Sequence, residues 1–273
     1  MRRPFLKLVL VVLAIFGTAV IAYAPLVCLN AFAANLYRTR ALGWSDPAYS
    51  VTPREPHDVH FDRMLAILPF CPCVKEVNMP PMSDYRRRLA RLAKSPWIIS
   101  LDLSNSDIKD DDLAALASMT QLEYLFLSGN PKLTDAGIAH LAKCTKLRHL
   151  DLSETSVTGT GFAALAACQE LRYLGLTGCP VTDEHFLRLP SFPKLETLHL
   201  GGTQVTDAGL KRLNGWYSLI EIFASKFMTT AAKQAFNEAN RAARQNAREA
   251  GVPLDPKRGG RPFLILESER DAQ

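Results

Sequence analysis

A chain of 273 residues, 48% hydrophobic and 22% charged, is long enough to bury one sizeable core and too apolar to remain a disordered polymer. Its formal net charge of +5 is divided among the N-terminus, a helix near Arg86 and the C-terminal helix, without the single basic stripe that nucleic-acid binding needs. Six cysteines are too few for a disulfide scaffold at this length, and no CxxC pair supplies the spacing of structural zinc.

Residues 1–7 form a basic flank with Arg2, Arg3 and Lys7. From Leu8 to Ala34 no charged residue occurs, and such an apolar run exceeds the roughly 20 residues a helix needs to cross a bilayer. Residues 8–34 are therefore expected to be a transmembrane helix or uncleaved signal anchor. The positive-inside rule puts the N-terminus in the cytoplasm and the rest of the chain outside. A cleavable export signal is the rival, because Ala31-Phe32-Ala33 offers small residues at peptidase spacing. Arg2-Arg3-Pro4-Phe5-Leu6-Lys7 is also similar to a twin-arginine export signal. Residues 35–57 read as a linker.

Further along, apolar triplets of the form LxxLxL recur: Ile98, Leu101, Leu103; Leu122, Leu125, Leu127; Leu147, Leu150, Leu152; Leu171, Leu174, Leu176; Leu195, Leu198, Leu200. Their first members stand 24, 25, 24 and 24 residues apart, a period that means a solenoid of stacked coils. Each triplet leads to a polar position (Ser106, Asn130, Thr155, Cys179, Thr203) and then to an aliphatic one (Ile108, Leu133, Val157, Val181, Val205). A helix is expected next, with apolar pairs three residues apart, such as Leu113 and Leu116 or Phe162 and Leu165, on one face. Thr134, Thr182 and Thr206, each followed by Asp, are placed to cap those helices.

The closest unit runs Leu195-Glu196-Thr197-Leu198-His199-Leu200-Gly201-Gly202-Thr203-Gln204-Val205-Thr206-Asp207-Ala208-Gly209-Leu210, completed by Leu213. It resembles the leucine-rich-repeat family in its cysteine-containing subtype, roughly LxxLxLxxC/TxVTDxGLxxL. That resemblance implies an α/β fold, a leucine-rich-repeat solenoid with parallel strands on the concave side and helices on the convex side, used for protein recognition. The subtype often accompanies an F-box in ubiquitin ligase subunits, but no F-box is recognisable here. The polar ladder position varies from the commonest Asn or Cys, which weakens the subtype more than the fold.

Carrying the register back by 24 residues lands on Val74, Val77 and Met79, with Leu89 and Leu92 as the helix pair, so the solenoid with its N-terminal cap is expected over 58–228. Forward, Leu219, Ile222 and Ala224 make a last triplet. A C-terminal capping helix is expected over 229–251, stopped by Gly251 and Pro253, and residues 252–273 read as a flexible tail.

The chemistry-bearing residues carry weak signals. Cys71, Cys144 and Cys168 share an apolar repeat position with Met119, Phe192 and Trp216, so packing explains them. His57, His60, Cys71 and Cys73 form the grouping with metal-ligand chemistry, and a metal-dependent enzyme on that segment is the alternative reading; packing of Cys71 and the poor CxC spacing count against it. His149, Asp151 and Ser153 lie on one face of a strand, but same-face residues are roughly 6.6 Å apart, beyond hydrogen-bond reach for most such side chains. No catalytic residue, metal ligand or cofactor is assigned.

A binding face has the better claim. Between the inward leucines the outward positions carry Tyr124 and Phe126, His149 and Asp151, Tyr173 and Gly175, Thr197 and His199, and Glu221 and Phe223. Exposed aromatics among polar groups anchor protein interfaces. Tyr124, Phe126, His149, Asp151, Tyr173 and His199 are thus the expected partner-binding residues, for a protein or surface-polymer partner, with no nucleic acid. A purely structural envelope protein is a third reading.

Overall fold

A computed structural model describes residues 42–43, 50–53, 62, 65–66, 68, 75–79, 84–216, 218–249 and 264–267. The apolar segment 8–34 and the group His57, His60, Cys71 and Cys73 lie outside these residues. Among the described residues no helix is long and apolar enough to cross a membrane.

Among the described residues ten strands lie side by side in chain order. They are β1 (Leu42–Gly43), β2 (Ser50–Pro53), β3 (Glu76–Asn78), β4 (Ser100–Asp102), β5 (Tyr124–Phe126), β6 (His149–Asp151), β7 (Tyr173–Gly175), β8 (Thr197–His199), β9 (Glu221–Ala224) and β10 (Leu264–Glu267). β1 pairs antiparallel with β2, and every later pair is parallel. Equivalent repeat positions stand opposite one another: Leu101, Leu125, Leu150, Leu174, Leu198 and Ile222 form one unbroken inward row, all fully buried. Burying a leucine side chain contributes roughly 1.5–3 kcal/mol, and here the gain recurs at every unit of a single continuous core.

The convex side differs from a stack of α-helices. Tyr85–Leu92 is an α-helix that buries the expected pair Leu89 and Leu92. In the later coils the described α-segments before the C-terminal helix are short, at Asp135–Ile138, Asp183–Phe186 and Asp207–Arg212, while Asp110–Ser118, Ala139–Lys143 and Thr160–Ala167 are 3₁₀ helices. A 3₁₀ helix has 3.0 residues per turn, so residues three apart eclipse. That geometry puts Leu113 over Leu116 and Phe162 over Leu165, all buried. It also rises about 2.0 Å per residue, which lets a short segment return the chain to the next strand.

Two polar ladders hold adjacent coils in register. At the first, Asn130 is completely buried. Its Oδ1 accepts from the Ser106 and Ile108 amides, both at 3.0 Å, and its Nδ2 donates to the carbonyls of Leu103 at 2.9 Å and Leu127 at 2.7 Å. Thr155 and Thr203 satisfy fewer groups, each donating to the carbonyl three residues earlier. Cys179 reaches across to the Leu152 carbonyl at 3.0 Å.

The second ladder runs along the turns before the convex helices. Asp110 accepts from the Thr134 amide and hydroxyl and the Gly137 amide of the next coil. Asp135 accepts from Thr158, Gly159 and Gly161, and Asp183 from Thr206 and Gly209. Burial alone would raise the Asp135 carboxyl, but these donated hydrogen bonds outweigh it and hold its pKa below the ordinary value. Thr134 and Thr206 also cap their own helices by accepting from Ala136 and Ala208. Thr182 does not follow the expected pattern. The preceding coil has Gly159 (φ 106°) where an aspartate would stand, and the Thr182 hydroxyl meets His185 Nδ1 at 3.2 Å.

Both ends of the sheet reach beyond the repeat register. β2 falls in the stretch read as a linker and β10 in the stretch read as a tail. β10 follows the long helix Thr230–Glu249 and matches β9 residue for residue, Leu264 opposite Glu221 through Glu267 opposite Ala224. A strand after a long crossover helix breaks the 24-residue period, so periodicity cannot find it, although the apolar run Phe263-Leu264-Ile265-Leu266 is a strand signal in itself. Cys144 and Cys168 are buried as expected, with Cys144 Sγ on the Leu116 carbonyl and Cys168 Sγ on that of Cys144. Burial pushes their thiols up to about 12 and about 11, which makes both poor nucleophiles.

Candidate functional site

Since the central residue of each three-residue strand is buried, its two neighbours face away from the core. β4 to β9 therefore present two outward rows. One reads Ser100, Tyr124, His149, Tyr173, Thr197, Glu221; the other reads Asp102, Phe126, Asp151, Gly175, His199, Phe223.

The rings on these rows touch in sequence. Tyr124 and Phe126 lie 6.3 and 4.7 Å from the His149 ring by centroid. His149 stacks on Tyr173 at 4.0 Å with an interplanar angle of 2°. Tyr173 meets His199 at 5.0 Å, and His199 stacks on Phe223 at 4.0 Å. The aromatic band thus starts in the first row at Tyr124 and ends in the second at Phe223. Tyr124 is the most open member, 37% exposed. The six residues expected at the partner surface all lie on this face, and Phe223 extends the ring contacts by one strand.

Gly175 has a steric reason. A Cβ there would come within 2.3 Å of Asp151 Oδ1, so the missing side chain leaves room for that carboxylate. Asp151 Oδ1 accepts from the Ser153 amide at 3.0 Å. Asp102 repeats the arrangement with the Ser104 amide at 2.9 Å and takes a further bond from Asn78 Nδ2. Asp102 was not among the expected face residues, although it holds the same strand position as Phe126 and Asp151. The triplet Ile98, Leu101, Leu103 carries the signal that finds it.

Three rings feel the Asp151 charge. Burial pushes the Tyr173 phenol up to about 12, and Asp151 adds to that rise. Burial lowers His149 and His199 below the ordinary histidine value, and Asp151 partly opposes it in both. The imidazoles are consequently neutral at pH 7, and the face keeps the negative charge of its carboxylates.

The row His149, Asp151, Ser153 is not assembled as a relay: His149 stacks on Tyr173 while Asp151 accepts from the backbone of Ser153. Among the described residues no group of three or more His, Cys, Asp or Glu side chains gathers in a way that could hold a metal ion.

The sequence profile described as Leucine Rich repeat matches residues 94–117, 143–166 and 193–213. No curated protein matches the chain. Among solved structures, internalin C2 of Listeria monocytogenes is similar at 21% identity and a TM-score of 0.43, over 59% of this chain and 74% of that one. An internalin (inlF) of the same organism gives 17% and 0.40, over 63% and 67%. The plant peptide hormone receptor RGFR1 in complex with RGF2 gives 13% and 0.42, over 59% of this chain and 26% of the receptor.

Proposed function

The chain is a leucine-rich-repeat protein, and on that premise we propose that it is a non-catalytic interaction module that binds a protein partner on its concave face. The observation that carries this reading is the contact chain from Tyr124 through His149, Tyr173 and His199 to Phe223. A polar face needs no such band for solubility, and aromatic groups are the usual anchors of protein interfaces. Residues 8–34 hold the module at a membrane, with the N-terminus on the cytoplasmic side and the repeats beyond it; the unbroken apolar run and the preceding Arg2, Arg3 and Lys7 support this placement.

Affinity capture from native membranes with the full chain tests the reading. A protein retained by the wild type should be lost with Tyr124→Ala/Phe126→Ala and kept with Leu187→Ala on the convex side, where Leu187 is 51% exposed. Retention by all three would place the binding surface elsewhere. Protease protection of the repeats in sealed vesicles, with a tag at each end in turn, checks the membrane orientation.

A further inference from the structure

The chain as a whole is basic, yet its concave face is not. The outward positions of β3 to β9 are Glu76, Asn78, Ser100, Asp102, Tyr124, Phe126, His149, Asp151, Tyr173, Gly175, Thr197, His199, Glu221 and Phe223. They include four carboxylates, Glu76, Asp102, Asp151 and Glu221, and neither a lysine nor an arginine. The arginines at the strand entrances are already engaged, Arg148 with Glu123 at 3.0 Å and Arg172 with Glu196.

The register places these charges around a ring. Phe126 stands opposite Asp102 on one side and Asp151 on the other. Neighbouring strands are about 4.8 Å apart, so the two carboxylates are offset by roughly 10 Å with the aromatic surface between them. Each carboxylate has one oxygen on a backbone amide, which fixes its orientation, and the second Asp102 oxygen accepts from the neutral Asn78 amide, which leaves its charge in place. Tyr124 lies beside Phe126 with its ring the least covered of the band.

An ammonium or guanidinium group is attracted to ring faces within about 6 Å and more strongly so beside carboxylates. From the charge and ring order we infer that the concave face selects a cationic segment of its protein partner, seating lysine or arginine side chains on Tyr124 and Phe126 between Asp102 and Asp151. This deepens the concave-face reading and rests on it. An anionic surface polymer would meet like charge at the same positions.

The full chain in detergent, titrated with fluorescent peptides of alternating Arg-Gly and alternating Glu-Gly sequence, provides the test. The arginine peptide should bind the wild type and the glutamate peptide should not. Asp102→Asn/Asp151→Asn keeps the acceptors for the serine amides and removes the charges; it should weaken arginine-peptide binding at least ten-fold. Asp111→Asn/Glu184→Gln makes the same change in net charge on the exposed convex side and should leave binding within two-fold. Equal weakening by the two pairs, or none by the first, overturns cation selection. If the glutamate peptide binds instead and Tyr124→Ala/Phe126→Ala abolishes it, the concave-face reading stands and the cationic assignment falls. If Tyr124→Ala/Phe126→Ala leaves binding of every peptide unchanged, both fall.

Discussion

The two sides of the sheet use polar residues in opposite ways. On the ladder side a buried amide such as Asn130 or a carboxylate such as Asp135 is consumed by backbone groups of its own and the adjoining coil. On the concave side Asp102 and Asp151 each give one oxygen to a local turn, with the other Asp102 oxygen accepting from Asn78 Nδ2, and flank Phe126 in a band of touching rings. The first set contributes stability and has little capacity left for a ligand. The second contributes little stability and keeps its capacity for another molecule.

Substitutions can break this division, beginning with the core that both sides share. Leu150→Ala removes a fully buried side chain from the centre of the inward row and should cost about 2–5 kcal/mol in urea unfolding. Asn130→Ala strands two amides and two carbonyls in the interior and should cost about 3 kcal/mol, with peptide binding retained where the variant is folded. Asp135→Ala should cost about 1–2 kcal/mol, since its donors are only partly buried. A smaller loss should distinguish the asparagine and aspartate ladders from Tyr124→Ala/Phe126→Ala, whose effect on the unfolding midpoint should be the smallest while binding falls about ten-fold or more.

Acid should separate the two sides as well. His149 and His199 have folded pKa values below the unfolded one, so the unfolded chain takes up protons first. Their contribution to stability is complete above about pH 6.5 and fades as pH falls through the folded values. Asp135, also depressed, loses its contribution only below about pH 4. Unfolding midpoints measured from pH 7.5 to 3.5 should therefore decline in two stages, and replacing both histidines with Phe should remove the first. Protonation at the first stage also adds positive charge next to Asp151 and should loosen a cationic ligand.

Much of the scaffold is legible in the sequence because its cause is repetitive. Leucines at fixed spacing must fill one interior, and the inward row from Leu101 to Ile222 follows from that requirement. The ends are less legible: β2 and β10 pair through backbone hydrogen bonds and need no repeat leucines to do so. The 3₁₀ character of the convex segments was hidden because apolar residues three apart satisfy an α-helix as well. On the concave face the outward residues can be read by alternation, but Asp102 and the purpose of Gly175 become visible only when neighbouring strands are set side by side. Thr182 shows the same limit: the preceding coil has a glycine at 159 and so no carboxylate to accept from it, and its hydroxyl meets His185.

Side-chain footprinting of the full chain with and without its captured protein partner bears most directly on the division between the two sides. Oxidative labelling should fall at Tyr124, Phe126 and Tyr173 when the partner is bound and stay constant at the exposed Leu187 and Phe227. Protection of Leu187 or Phe227 with Tyr124 unchanged would contradict the account.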